Sequence, residues 1–311
     1  VMESGQGLNQ LLSKLLRQLD KVMSEVNPDC VVVQGDTSSC LAGALAAFHR
    51  EIPVYHVEAG LRTYDKTAPF PEELNRQMVS RIADVHFAPT EKNKQALLME
   101  GVAEKDILVT GNTVIDALMM CQKNLAPESN PEIQKLQRIY DPEKKLLLVT
   151  GHRRENMGAG FSELIEALRE LASEPSIQVI YPLHMNPAVR EPMIHALGNT
   201  EGIFLIEPLG YEAFVWLMSK SFLIISDSGG VQEEAPSLNK PVLVLREQTE
   251  RQEAVEAGTV KLIGTLKEAV VQEVRELMVN KEAYLGMTQK SNPYGDGMAA
   301  KRIVDFLAAS E

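Results

Sequence analysis

The sequence predicts an α/β fold made of two Rossmann-like, doubly wound domains that face a cleft. Short runs rich in Val, Ile and Leu alternate with helical patterns from one end of the 311-residue chain to the other. That alternation is the order that repeated βα units produce. Several of the strand-like runs in the second half are continuously apolar, as expected for a parallel sheet covered on both faces. A chain of this length exceeds what one hydrophobic core usually fills, so two domains are expected.

In the first half, leucines at helical spacing predict an amphipathic helix over Leu8–Val26. The predicted strands are Val31–Val33, Val54–Val57, Val85–Ala88 and Ile107–Val109. The predicted helices that follow are near Ser39–His49, Glu72–Ile82, Thr90–Glu100 and Thr113–Lys123. The polar segment Ala126–Pro142 contains prolines and has no clear period, so a loop or hinge is predicted there.

The second half repeats the alternation. Its predicted strands are Lys145–Thr150, Ile177–Tyr181, Ile203–Ile206, Phe222–Ser226, Pro241–Leu245 and Lys261–Ile263. Its predicted helices are Phe161–Ala172, Pro187–Leu197, Tyr211–Lys220, Val231–Ala235, Arg251–Ala257, Leu266–Val279 and, after a Pro- and Gly-containing break, Gly297–Ala309. We expect an N-terminal domain of residues 1–113 plus 292–311 and a C-terminal domain of residues 114–291.

Composition excludes several function classes. The formal net charge of −12 argues against a general binder of nucleic acid or of anionic membranes. No apolar run approaches the roughly 20 residues that span a bilayer, and no signal-peptide pattern opens the chain. Cys30, Cys40 and Cys121 show neither CxxC nor zinc-ligand spacing, which favours free thiols in a reducing compartment. A cytoplasmic protein without a metal site is therefore expected.

Three carboxylates lie at or soon after the ends of the first two predicted parallel strands. Asp36 follows the first strand, Glu58 follows the second, and Glu72 lies in the Pro-rich loop beyond it. Ligands of open α/β sheets bind beyond the carboxyl ends of the strands, where carboxylates suit proton transfer. Two structural alternatives stay open: Asp36 as a helix N-cap, and Glu72 as a first-turn acid.

A phosphate-binding turn is predicted at Ser228-Gly229-Gly230, where an apolar strand ends and a helix begins. Glu234, one turn later, has the chemistry to accept hydrogen bonds from ribose hydroxyls. The alternative is that Ser228 is only an N-cap and the glycines only form a tight turn. His152 stands beside two arginines at another strand end, where an anionic substrate would find cationic donors. The alternative is that these charges form only a solvated run on a loop.

Taken together, several strings resemble the non-hydrolysing UDP-N-acetylglucosamine 2-epimerases of bacteria. They are VVVQGDTSS, VYHVEAGLRT, FPEELNR, TGNTVIDAL, VTGHRREN, YPLHMNP, SDSGGVQEEAPSL, KPVLVLR and NPYGDG, in family order along essentially the whole chain. The resemblance implies a glycosyltransferase-B-like fold and interconversion of UDP-N-acetylglucosamine with UDP-N-acetylmannosamine. In the family, elimination of UDP from the substrate gives 2-acetamidoglucal, and UDP then adds back. No nicotinamide cofactor is used. A homodimer is also implied.

Position by position, the resemblance also implies site residues. The acid–base and substrate-contacting residues fall on Asp36, Glu58, Glu72 and His152. The UDP contacts fall on Ser228, Gly229 and Gly230 for the diphosphate, Glu234 for ribose, Phe214 and the Leu209 backbone for uracil, and Arg251 for a further ligand contact.

The sequence departs from the family in one respect. Family members begin with a strand ending in Gly-Thr-Arg-Pro-Glu that this sequence does not contain, so the first domain is expected to be incomplete. The resemblance implies diphosphate-binding and allosteric roles for that segment, and neither role can be placed on this sequence. Three alternatives stay open: the hydrolysing epimerase, another nucleotide-sugar glycosyltransferase-B enzyme, and an inactive UDP-sugar-binding protein.

Overall fold

A computed structural model describes residues 6–151, 159–249 and 251–309. The chain divides into two compact units, one formed by Val1–Asp116 with Tyr294–Glu311 and the other by Ala117–Pro293. Each unit holds one parallel β-sheet with helices packed on it, so the predicted α/β class with two parallel sheets is confirmed. In the described part of the chain, no helix combines the length and apolar composition that crossing a membrane requires.

The elements follow one another as predicted, with two additions. The strands are β1 Val31–Gln34, β2 Val54–Val57, β3 Val85–Ala88, β4 Ile107–Val109, β5 Lys145–Thr150, β6 Ile177–Pro182, β7 Ile203–Ile206, β8 Leu223–Ser226, β9 Val242–Val244 and β10 Val260–Leu262. The α-helices are α1 Leu8–Val26, α2 Ser38–Phe48, α3 Glu72–Ile82, α4 Glu91–Met99, α5 Thr113–Asn124, α6 Pro131–Ile139, α7 Ala159–Ala172, α8 Pro187–Leu197, α9 Tyr211–Lys220, α10 Gly229–Glu234, α11 Gln252–Ala257, α12 Lys267–Val279, α13 Lys281–Thr288 and α14 Ala299–Ala309.

The additions are α6 and α13. Helix α6 lies in the segment predicted to be a loop, and that prediction is wrong. Asn130 caps its N-terminus by accepting from the N–H groups of Glu132 and Ile133, and Pro131 suits the first helical position. Ile133 and Leu136 are buried, and this i, i+3 pair is too short to reveal a helical period. Helix α13 was not predicted.

The first unit has four parallel strands in the order β1-β2-β3-β4. Helix α14 returns to this sheet, where Phe306 packs edge-on against Tyr55 and Phe87 with ring centroids 6.3 and 5.6 Å apart. Strand β1 is the edge of the sheet, and the Val32 side chain on it is 48% exposed. The carboxyl ends of β1 and β2 lie side by side, because Gln34 pairs with Val57.

The second unit has six parallel strands in the order β7-β6-β5-β8-β9-β10. The chain winds outward from β5 in one direction and then, from β8, in the other, which is the doubly wound arrangement. Residues such as Leu147, Val179, Ile225 and Leu243 are fully buried, as expected for strands covered on both faces. The strand order reverses between β5 and β8, and ligands of such sheets bind at that reversal.

Candidate active site

The first unit brings two of the predicted carboxylates together. Asp36 and Glu58 follow neighbouring parallel strands, so both lie at the carboxyl ends of the strands. Gly35 makes the turn between β1 and Asp36 with φ +75°. Glu58 itself adopts a left-handed conformation with φ 64°, which is uncommon for a residue with a side chain. Strained backbone of this kind gathers at functional sites, where the surrounding structure maintains it.

The buried guanidinium of Arg76 on α3 links these carboxylates. Its Nη2 donates to Asp36 Oδ2 at 2.6 Å and to Glu58 Oε1 at 3.3 Å. Its Nη1 also donates to the backbone carbonyl of Glu58, and Asn75 Nδ2 donates to the backbone carbonyl of Asp36 at 2.9 Å. Helix α3 therefore fixes both carboxylates, whose side chains remain 24% and 20% exposed.

The capping alternative for Asp36 is not what the structure shows. The N-cap of α2 is Thr37, whose Oγ1 accepts from the Cys40 N–H at 3.4 Å. The Asp36 carboxylate instead forms the ion pair with Arg76. Helix capping therefore does not account for this carboxylate.

Glu72 and Glu73 have different environments in the first turn of α3. Glu73 is buried and accepts from the N–H groups of Thr63 at 2.9 Å and Tyr64 at 3.2 Å, and from Gln77 Nε2 at 2.7 Å. It therefore anchors the loop before α3. Glu72 is half-buried and lies four residues before Arg76, on the same face of the helix.

A buried histidine pair supports the turn that carries Asp36. His56 and His86 lie opposite each other on β2 and β3, and the His56 Nε2 lies 2.8 Å from the Gly35 carbonyl oxygen. Burial, reinforced by the Arg76 charge, lowers the pKa of His56 to about 3. Burial also lowers the pKa of His86 to about 4. Both rings are therefore neutral at pH 7 in the folded protein.

Folding stability is accordingly expected to fall in mild acid. The unfolded chain binds protons on these histidines near pH 6.5, whereas the folded protein does so only near pH 3–4. The free energy of unfolding is therefore highest above pH 6.5, where the histidines are neutral in both states. It declines as the pH falls, by about 2 kcal/mol per histidine at pH 5. Urea unfolding at pH 7 and 5 should show a smaller loss for His86→Gln than for the parent. The exposed His49→Gln is the control, and an unchanged pH dependence in His86→Gln would contradict the assignment.

The second unit places polar groups at its strand-order reversal. Thr150 and Ser226 end the adjacent strands β5 and β8, and their hydroxyls are 2.6 Å apart. The buried Tyr181 hydroxyl donates to the Gly151 carbonyl at 3.0 Å and so fixes the end of β5. The predicted site residue His152 comes next in the chain and lies outside the described residues.

The predicted phosphate turn follows β8. Ser228 is the N-cap of α10, yet its side chain makes no capping hydrogen bond, so capping does not account for the hydroxyl. The Arg251 guanidinium lies over Gly229: a Cβ there would come within 2.8 Å of its Cζ atom. Arg251 Nε donates to the buried Glu233 carboxylate at 2.9 Å. A cation and two glycines are thus held together at the start of α10.

The predicted nucleoside contacts lie on two neighbouring segments. Leu209 and Phe214, the predicted uracil contacts, are half-buried before and within α9. Glu234, the predicted ribose acceptor, is buried at the end of α10 and accepts a 2.5 Å hydrogen bond from the Tyr211 hydroxyl. Tyr211 therefore connects the segment predicted to contact the base with the residue predicted to contact ribose.

Two contacts of the candidate site were not predicted from the sequence. Arg76 lies at i+4 from Glu72, a spacing that would have placed both on one helix face. Tyr211 lies two residues after Leu209, and no pattern indicated its link to Glu234. Among the described residues, no three His, Cys, Asp or Glu side chains are grouped in a way that would hold a metal ion.

The sequence and the fold are similar to those of UDP-N-acetylglucosamine 2-epimerases. Residues 2–308 match the family model described as UDP-N-acetylglucosamine 2-epimerase. The UDP-N-acetylglucosamine 2-epimerase of Escherichia coli K12 is 49% identical over 99% of this chain and 82% of its own length. The enzyme of the same name from Campylobacter jejuni is 46% identical over 99% of this chain and 82% of its own length.

Solved structures give the same result for the fold. The UDP-GlcNAc 2-epimerase of Neisseria meningitidis, solved with bound UDP-GlcNAc, aligns with a TM-score of 0.91 at 45% identity, over 99% of this chain and 84% of that one. The Methanocaldococcus jannaschii UDP-GlcNAc 2-epimerase, solved with UDP-GlcNAc and UDP, aligns with a TM-score of 0.82 at 37% identity, over 98% and 82%.

Proposed function

The chain belongs to the UDP-N-acetylglucosamine 2-epimerase family, and from that premise we propose that it interconverts UDP-N-acetylglucosamine and UDP-N-acetylmannosamine. The proposed reaction is the non-hydrolysing one, in which UDP leaves and then adds back. The observation that carries the proposal is the pair of carboxylates, Asp36 and Glu58, that Arg76 holds at one edge of the first sheet. Inversion of a carbon requires a proton acceptor for one face and a donor for the other.

In the proposed first step, a base removes the proton on carbon 2 of the sugar. The bond between carbon 1 and the diphosphate oxygen breaks, which leaves 2-acetamidoglucal and UDP. In the second step, the diphosphate oxygen bonds to carbon 1 again, and an acid delivers a proton to the opposite face of carbon 2. Asp36 and Glu58 are the proposed proton-transfer groups, and Glu72 and His152 complete the proposed set.

The second unit is proposed to hold UDP throughout. The Ser228 hydroxyl, the N–H groups of Gly229 and Gly230, and the Arg251 guanidinium supply donors for the diphosphate. Glu234 accepts from ribose, and Phe214 with the Leu209 backbone contacts uracil. Retention of the departing diphosphate matters because a bound leaving group adds back far faster than one that must return from solution.

Deuterium incorporation tests the reaction. Incubation with UDP-N-acetylglucosamine in deuterated water is expected to place solvent deuterium at carbon 2 of the substrate and the product. Mass spectrometry and proton NMR would detect both the exchange and UDP-N-acetylmannosamine. A product pool of free N-acetylmannosamine and UDP would identify the hydrolysing reaction instead. Binding of UDP without any exchange would contradict the proposed catalysis.

Glu234→Ala is expected to weaken UDP binding by about 1–3 kcal/mol, because a buried carboxylate that accepts from ribose would be lost. Isothermal titration calorimetry measures the change. Glu201→Ala, which removes an exposed carboxylate of the same unit, should leave the affinity unchanged. Equal UDP affinity of the Glu234 variant and the parent would contradict the ribose assignment.

The remaining proposals concern the setting of the enzyme. We propose a cytoplasmic homodimer whose small-molecule partners are UDP-N-acetylglucosamine and UDP, with no nucleic-acid or membrane partner. The acidic net charge of −12 supports the absence of a polyanionic partner. Analytical ultracentrifugation of the purified protein tests the dimer, and a single species of monomer mass at micromolar concentration would contradict it.

A further inference from the structure

Tyr211 links two parts of the proposed nucleoside site. It is the first residue of α9, and the N–H of the preceding Gly210 donates to the Glu132 carboxylate on α6 at 3.0 Å, which anchors the helix start. From that fixed backbone the Tyr211 hydroxyl reaches Glu234 Oε1, while 42% of the tyrosine remains exposed. The hydroxyl is therefore held by Glu234, while a large part of the residue remains exposed.

The two oxygens of Glu234 face different neighbours. Oε1 accepts from Tyr211, and in the described part of the chain this is the one hydrogen bond of the carboxylate. Oε2 lies 4.0 Å from the point that a Cβ on Gly230 would take, and the Ser228 hydroxyl lies 4.0 Å from the same point. One oxygen is thus occupied, and the other lies near the start of α10, beside the proposed diphosphate position.

We infer that Tyr211 is a positioning residue for ribose recognition: it fixes Glu234 Oε1 so that Oε2 is presented to the ribose hydroxyls of the nucleotide. This inference rests on the proposed function and deepens it. Burial raises the pKa of Glu234, and the Tyr211 hydrogen bond acts against that rise. The tyrosine therefore also favours the ionised carboxylate, which is the form that accepts from both ribose hydroxyls.

Location along the chain supports the same role. Leu209 and Phe214, the proposed uracil contacts, flank Tyr211 on one short segment, and Phe214 lies at i+3 from it on the helix face. Base and ribose are joined in one nucleoside. Tyr211 is anchored beside the proposed base contacts and also holds the proposed ribose acceptor, Glu234. It therefore couples the recognition of base and ribose.

The test compares Tyr211→Phe with the parent by calorimetry, using UDP and 2′,3′-dideoxy-UDP as ligands. Loss of one positioning hydrogen bond is expected to weaken UDP binding about 3- to 10-fold. Affinity for the dideoxy ligand should change less than about twofold, because it offers no hydroxyl to Oε2. Tyr284→Phe, which removes a hydroxyl that donates to the Phe222 carbonyl in the same unit, is the matched control and should alter neither affinity.

The outcomes separate this inference from the proposed function. Unchanged UDP affinity in Tyr211→Phe, with clear weakening in Glu234→Ala, overturns the positioning role alone. Tighter UDP binding in Tyr211→Phe also overturns it, because the tyrosine would then compete with ribose. If Glu234→Ala binds UDP as the parent does, the proposed ribose site fails and the inference fails with it. A lower affinity of Tyr211→Phe for UDP, with little change in its affinity for 2′,3′-dideoxy-UDP, supports the inference.

Discussion

Asp36→Asn is expected to lower kcat by about 10²- to 10⁴-fold, the usual contribution of a positioned proton-transfer group. The amide is nearly isosteric with the carboxylate and cannot take up a proton. Thr37 and not Asp36 caps α2, so the substitution does not remove the cap. Glu58→Gln and Glu72→Gln are expected to act in the same direction. Turnover and deuterium exchange at carbon 2 are the measurements, with UDP affinity determined in parallel.

Glu73→Gln is the matched control for this series. Glu73 is adjacent to Glu72 on α3, but its carboxylate is buried and anchors the preceding loop. Its replacement should lower the unfolding midpoint while turnover per folded molecule stays near the parental value. Near-parental turnover in all three amide variants of Asp36, Glu58 and Glu72 would show that the carboxylate mechanism is wrong.

The direction of exchange should distinguish acid from base. The proton on carbon 2 lies on opposite faces in the two epimers, so different groups remove it in the forward and reverse reactions. If a residue transfers the proton on one face of carbon 2, its variant should reduce deuterium exchange more strongly with one epimer as substrate than with the other. Equal losses from both epimers in every variant would point to a shared role for the carboxylates.

The fold was largely predictable because its signal is local. Most strands are short runs rich in Val, Ile and Leu, which is the pattern that a parallel sheet buried on both faces requires. Helix α6 was missed because just two of its residues, Ile133 and Leu136, are buried, and two positions do not establish a period. Its cap Asn130 and the following Pro131 were the available signals, and both also occur in loops.

The carboxylates of the candidate site were predictable as strand-end residues, but their partners were not. Arg76 is separated by 40 residues from Asp36 and by 18 from Glu58. Tyr211 is separated by 23 residues from Glu234. Contacts at such separations depend on how helices pack on the sheet, and no periodicity within one element encodes them. The sequence therefore indicates candidate reactive groups, and the packing determines which side chains contact them.

Arg76→Met is expected to lower kcat by about 10²-fold, the effect of displacing a reactive group by about 1 Å. The buried guanidinium binds both carboxylates and the Glu58 backbone, so its loss removes the constraint on their relative orientation. Arg76→Lys keeps the positive charge without the planar fork and should recover little of the loss. UDP affinity should stay unchanged in both variants, because the proposed UDP contacts belong to the other unit.

Arg62→Met separates this effect from a general loss of stability. Arg62 is also a buried arginine of the first unit, and it binds Glu100 through two hydrogen bonds of 2.7 and 2.8 Å. Loss of either guanidinium should destabilise the unit by about 1–3 kcal/mol, because partly buried carboxylates lose a hydrogen-bonded cationic partner. Only Arg76→Met should reduce turnover and carbon 2 exchange per folded molecule. Equal reductions in both variants would assign Arg76 to the stability of the fold, and parental turnover in Arg76→Met would remove it from the active site.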